Sequence, residues 1–189
     1  INGAALEAFA VVALVDKIDT LAGYLGIGVT PSGSSDPYGL RRAGQGVIRI
    51  LLDFWTGRAP SFDDVIKDVH RLYGPALTKS TDELRVAMRA FLVDRLRGVL
   101  LTREEGAADE VEAVLSARVD PLDDVRSVAK RLSALAAVRS EHRDVFAALA
   151  ESFKRAKNIV GETPPGDVDQ TAFVEGNDFL VGDSSVRIL

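Results

Sequence analysis

Residues 36–55, DPYGLRRAGQGVIRILLDFW, decide the fold class. Wound at about 100° per residue, Leu40, Ala43, Val47, Ile50, Leu51 and Phe54 fall on one apolar stripe. Tyr38, Arg41, Arg42, Gln45 and Arg49 converge on the opposite side. No period of two fits the stretch, so it predicts an amphipathic helix with a polar, strongly cationic outer face. Asp36-Pro37 predicts the start, as a cap followed by a first-turn proline, and the periodicity carries the helix to about Trp55.

The same spacing recurs on both sides. A first helix is expected over about Ala4 to Tyr24, turning Leu6, Phe9, Ala13, Leu14, Ile18 and Leu21 inward. Residues 26–35, rich in Gly, Ser and Pro, read as a loop. Ser61 caps a third helix that Gly74-Pro75 ends, and Thr81-Asp82-Glu83 opens a fourth reaching about Leu101. Ala107 to Ala117 is short and helical. Asp120-Pro121 repeats the device of Asp36-Pro37 and predicts a helix to about Val138. Ser140 caps the last helix, which ends before Gly161 and turns Val145, Leu149, Phe153, Ala156 and Val160 inward. The expectation is an all-α, multi-helix bundle. Gly57, Pro60, Gly74 and Pro75 mark the seam between a helical unit over residues 1–57 and another over 58–161, followed by a loosely ordered acidic tail over 162–189.

Composition narrows the chemistry. The chain has 189 residues, a length at which roughly 70% of the unfolded surface is buried on folding, so a core without staples is possible. With no Cys it has no disulfide scaffold, no Cys-ligated metal and no thiol nucleophile. No apolar run approaches the ~18 residues of a membrane span. The chain opens at Ile1, without Met, in what already reads as a helix, and is expected to be cut from something longer. The net charge of −5 comes entirely from the tail: through Gly161 there are 22 basic and 22 acidic residues, and beyond it 1 and 6. A neutral body can still sort its cations onto one face, so an acidic total does not exclude a polyanionic partner.

Gly28 and Gly33-Ser34-Ser35 have the glycine spacing of a phosphate-binding loop, but the Lys is missing and a helix, not a strand, precedes them. His70 and His142 lie on different helices without metal-ligand spacing, and no metal site is expected. The arginines of the second helix are the best binding signal, because guanidinium forks grip phosphate; the alternative is a solvated face. Arg95 falls inside the apolar stripe of Leu84, Met88, Phe91, Leu92, Leu96 and Val99, where a charge needs a carboxylate partner or a ligand. Lys154, Arg155 and Asn158 lie on the outside of the last helix, where the helix dipole alone would favour cations.

A longer pattern joins these pieces. ALVDKIDTLAG over residues 13–23, then Gly26-Ile27-Gly28, then PSGSSDPYGLRR over residues 31–42, resembles the beta subunit of bacterial glycyl-tRNA synthetase. Phe91-Leu92, Arg95-Leu96-Arg97, Phe153-Lys154-Arg155 and Asn158-Ile159 resemble its later stretches in the same order, so the likeness covers about residues 8–162. The resemblance implies the C-terminal part of such a subunit: the end of a degenerate histidine–aspartate type domain, then an anticodon-binding-like helical domain. Asp16 would stand where active phosphohydrolases of that type place their last metal-binding Asp, with the other ligands upstream of this chain. No catalytic centre and no cofactor is implied here, since ATP and magnesium would act at the alpha subunit. The implied partners are tRNA(Gly), the alpha subunit and the rest of the beta subunit, in the cytoplasm. Tyr38, Arg41, Arg42 and Arg49 would hold the tRNA backbone, Lys154, Arg155 and Asn158 would make a second contact, and Arg95 would orient helices or touch RNA. Two rivals stand beside this reading. One is a helical docking module with an apolar patch on its third to fifth helices; the other is a metal-dependent phosphohydrolase centred on Asp16.

Overall fold

The structure, a computed structural model, describes residues 3–32, 35–55, 61–103, 106–117 and 119–160. Among them are seven α-helices: α1 (Gly3–Gly26), α2 (Leu40–Asp53), α3 (Phe62–Tyr73), α4 (Thr81–Thr102), α5 (Ala108–Leu115), α6 (Val125–Glu141) and α7 (Arg143–Val160). A single 3₁₀ turn, Gly74–Ala76, follows α3. No strand occurs among the described residues, so the all-α reading holds. The tail over 162–189 lies outside the described residues.

The chain forms two compact units, Ile1–Arg143 and Asp144–Leu189. In the first, α4 is the central member and packs against α1, α2, α3 and α5. Its buried side chains Leu84, Met88, Leu92, Leu96 and Val99 recur at three- and four-residue intervals. They meet Leu21 and Leu25 of α1, Leu40 and Ile48 of α2, Ile66 of α3 and Leu132 of α6 in one continuous core. Each such residue stabilises the fold by roughly 1.5–3 kcal/mol through burial. Residues from both sides of position 57 share this core.

α4 begins with a reciprocal cap. Ser80 Oγ accepts the Glu83 amide at 3.3 Å, and Glu83 Oε2 accepts the Ser80 amide at 2.8 Å. Accepting that amide holds the Glu83 carboxyl below the usual carboxylate range.

α2 is approached closely from both sides. A Cβ at Gly44 would stand 2.8 Å from Phe91 Cε1 and 2.9 Å from Arg95 Cγ on α4. One at Gly46 would stand 2.7 Å from Lys17 Cε on α1. Side chains of both neighbours therefore lie directly on the α2 backbone.

Three expectations are corrected. The helices after the two Asp-Pro pairs start later than the capping signal suggests. At the first, Asp36 accepts the amides of Leu40 at 2.8 Å and Arg41 at 3.0 Å, with an intervening turn that puts Gly39 at φ 66°. At the second, residues 121–123 form a turn and Asp124 caps α6 through the Ser127 amide at 2.9 Å. Ser140 does not cap the last helix. It lies within α6, and its hydroxyl donates to the Ala137 carbonyl at 2.9 Å. Finally, α1 buries Ala10, Leu14, Leu21, Ala22 and Leu25, whereas Leu6 is exposed and Phe9 is 72% exposed. The first half of α1 is apolar on nearly every side, so periodicity alone could not select the inward stripe.

Two glycines of similar propensity should respond oppositely to substitution. Gly98, exposed about one turn from the end of α4, has nothing within 4 Å of an added Cβ. Gly98→Ala should raise the thermal midpoint, by the equivalent of about 0.5–1 kcal/mol. Gly44→Ala should lower it, because Phe91 and Arg95 must move away. Removing the Asp36 carboxylate leaves two amides at the start of α2 without their acceptor, so Asp36→Ala should cost about 1 kcal/mol in denaturant unfolding, and Asp36→Asn less.

Candidate nucleic-acid interface

Whether a cation on a helical surface is available to a ligand depends on the carboxylates beside it. Most arginines of the first unit are engaged. Arg89 reaches Asp120 at 2.7 Å, Arg103 reaches Asp53 at 2.6 Å, and Arg97 is bound by Glu112 on α5. Arg139 on α6 pairs with Asp109 at 3.0 Å and with the buried Glu110 at 3.1 Å, holding the Asp109 carboxyl below the usual carboxylate range. Arg85 pairs with Asp63 and Asp82. These contacts fasten neighbouring elements and leave little for an external anion.

The outer face of α2 differs. Arg42, Gln45 and Arg49 are exposed. Neither the Arg42 nor the Arg49 side chain has a hydrogen bond or ion pair among the described residues. The acids at both ends of α2 are occupied: Asp36 by the first amides of the helix, Asp53 by Arg103. The Arg42 guanidinium lies beside Gly39, with Nη2 3.2 Å from the position a Cβ would take there. Arg41 is half-buried at the same end of the helix. Tyr38, 51% exposed, stacks one face on Tyr24 with ring centroids 4.3 Å apart and planes inclined by 22°. The stack fixes the ring next to the arginines, at the edge of a surface that can hold phosphate and contact a base.

Arg95 is placed differently. Its side chain is 19% exposed; Nη2 donates to Asp94 at 2.6 Å, and the guanidinium lies 4.8 Å from the Phe91 ring centroid. Its Nε is buried without a partner. This is the structural ion pair that the sequence left open, supplemented by a cation–π contact.

On α7, Lys154, Arg155 and Asn158 are exposed, and Arg155 Nε reaches Glu151 at 3.3 Å, one turn back. Here the expectation of an inward apolar face is corrected: Val145, Leu149 and Phe153 are exposed. The α2 and α7 sets belong to different units.

Asp16, on the exposed side of α1, has Lys17 as its charged neighbour at 3.7 Å. His70 engages the Lys79 carbonyl at 3.2 Å. Among the described residues no three His, Asp or Glu side chains converge as metal ligands would. No described helix is long and apolar enough to cross a membrane. The apolar patch anticipated on the third to fifth helices reduces to Leu72 on α3 and Val86 and Leu101 on α4, while Phe9, Val11, Val12 and Val15 are exposed on α1.

Lys17 was the residue that sequence reasoning missed. It sits 25 positions before Arg42, and nothing in the spacing of α1 announces that its side chain crosses Gly46.

Comparison with known proteins agrees with the pattern read in residues 13–42. A family model described as glycyl-tRNA synthetase beta subunit matches residues 5–116. The glycine–tRNA ligase beta subunit of Acidithiobacillus ferrooxidans is 41% identical over 150 residues, covering 78% of this chain and 20% of that protein. That of Geobacter metallireducens is 36% identical over 175 residues, covering 93% and 24%, and that of Trichlorobacter lovleyi is 41% identical over 153 residues, covering 81% and 21%. The chain thus spans only about a fifth to a quarter of the length of the curated relatives it matches. Long ordered identity and a family match over more than half of the sequence establish that the chain belongs to the glycyl-tRNA synthetase beta subunit family.

Proposed function

We propose that this chain is a non-catalytic, tRNA-contacting part of a glycine–tRNA ligase, helping to position tRNA(Gly) while the alpha subunit activates glycine with ATP and magnesium. The observation that carries the reading is the exposed, acid-free cationic face of α2, with Arg42 and Arg49. RNA backbones present closely spaced phosphates, and neutralising them supplies much of the affinity of nucleic-acid binding. Phosphate contacts orient the RNA, while Tyr38 offers an aromatic face to an unstacked base. Lys154 and Asn158 would form a separate contact on α7, with Arg155 held partly by Glu151. Arg95 would act through the fold, keeping α4 against α2. The partners in this role are tRNA(Gly), the alpha subunit and the rest of the beta subunit, and the compartment is the cytoplasm.

A second reading, docking of a partner subunit, is favoured by the exposed apolar residues of α1, Phe9, Val12 and Val15 among them. It assigns no part to the arginines of α2, and this separates the two.

Arg42→Glu combined with Arg49→Glu should weaken binding of a tRNA(Gly) transcript by at least tenfold at low salt. The slope of log affinity against log salt should fall by about 1.4–1.8, at roughly 0.7–0.9 per phosphate contact. Lys67→Glu on α3, an exposed residue paired with Asp64, serves as the charge control and should have a much smaller effect. Unchanged binding by the double variant would refute the α2 interface. Loss of alpha-subunit association in a Phe9→Glu, Val12→Glu variant of the α1 surface, without loss of tRNA affinity, would favour docking.

A further inference from the structure

We propose that Lys17 of α1 is a third cation of the α2 surface, acting with Arg42 and Arg49 to hold an RNA phosphodiester backbone; the proposal rests on the tRNA-contacting reading of α2 and extends it to a second helix.

The geometry begins at Gly46. A Cβ there would stand 2.7 Å from Lys17 Cε and 2.8 Å from Lys17 Cδ, the atoms of other helices that come within 4 Å of it. The end of the Lys17 stem therefore lies on the bare backbone of α2. Gly46 is four residues after Arg42 and three before Arg49, the two spacings that share a helix face. Lys17 thus reaches α2 on the side that carries both arginines, at a level between them. Arg42 and Arg49 are seven residues apart, about 10 Å along the helix axis. Three cations over that length suit a repeating polyanion better than a single phosphate ion.

The charges around Lys17 leave it able to take an anion. Its nitrogen is 3.7 Å from Asp16 Oδ2; the Lys17 side chain is 31% exposed and that of Asp16 75%. At that length, and with its carboxylate largely in solvent, the pair is weak, on the order of 1 kcal/mol or less. The next acid of α1 and the acids at the two ends of α2 are engaged elsewhere. Asp19 accepts the Tyr73 hydroxyl at 2.9 Å, Asp36 accepts two amides of α2, and Asp53 holds Arg103. The ammonium can exchange Asp16 for a phosphate oxygen without leaving another carboxylate unpaired.

The test measures binding of a tRNA(Gly) transcript across a salt series, with thermal midpoints recorded for every variant. Lys17→Met keeps the apolar stem over Gly46 and removes only the charge. It should weaken binding severalfold at low salt and reduce the salt slope by about 0.7–0.9. Lys17→Arg should restore both. Asp16→Asn should bind at least as tightly as the parent, since it releases the ammonium. If Lys17→Met binds with the parent's affinity and slope while Arg42→Glu with Arg49→Glu remains weakened, the Lys17 assignment is overturned and the α2 interface stands. If the double variant also binds normally, the α2 interface itself fails. A Lys17 that served only to pair with Asp16 would show lowered midpoints in Lys17→Met and Asp16→Asn with RNA binding unmoved. If Lys17→Met does not fold, Lys17→Gln decides: the parent's affinity and salt slope there overturn the proposal.

Discussion

Two missing Cβ atoms in α2 let its neighbours in the first unit lie on its backbone. Gly44 lets Phe91 and the Arg95 stem of α4 lie on the α2 backbone, and Gly46 does the same for Lys17 of α1. A glycine in a helix interior costs roughly 0.5–1 kcal/mol relative to alanine. That cost is offset here by the contacts it admits on either side of α2. The same closeness serves both the core and the surface. Leu40 and Ile48 share a core with the buried side chains of α4, and the stem of Lys17 lies on the α2 backbone at Gly46.

The charge pattern follows from which cations have neighbouring acids. A body with 22 basic and 22 acidic residues could in principle pair every charge. On α4, α5 and α6 it largely does, and the pairs link helix to helix: Arg97 to Glu112, Arg139 to Asp109 and Glu110. On α2 the acids at either end are diverted, Asp36 to the opening amides and Asp53 to Arg103. Arg42 and Arg49 remain exposed without them. A neutral total therefore coexists with a local cationic face, and local pairing is the better guide to an anionic partner.

Much of this was legible in the sequence, for a physical reason. Long helices with a strong apolar stripe, such as α2 and α4, announce themselves because burial selects one face. So does the cap at Ser61, whose hydroxyl meets the Asp64 amide within one turn. The helix starts after Asp36 and Asp120 were less legible. A carboxylate can reach amides four or five residues on when a turn intervenes, and composition does not distinguish that from an immediate cap. The inward stripe of α1 was ambiguous because its first half is apolar almost all round. Arg95 was readable as an anomaly; the identity of its partner, Asp94, needed coordinates. Lys17 was unreadable, because its position depends on a close approach between two helices, which one helix's periodicity does not encode.

The arrangement also constrains what kind of recognition α2 can perform. Guanidinium and ammonium groups on a rigid helix fix the register of a phosphate chain, but a phosphate carries no base identity. Discrimination among tRNAs therefore requires groups that meet bases, and on this surface Tyr38 is the candidate. Its ring is already stacked on Tyr24, so presenting the free face to a base costs little further ordering. Stacking tolerates any base. In the proposed role α2 would accordingly supply affinity and orientation, while selectivity for glycine tRNA would be set by contacts beyond this helix.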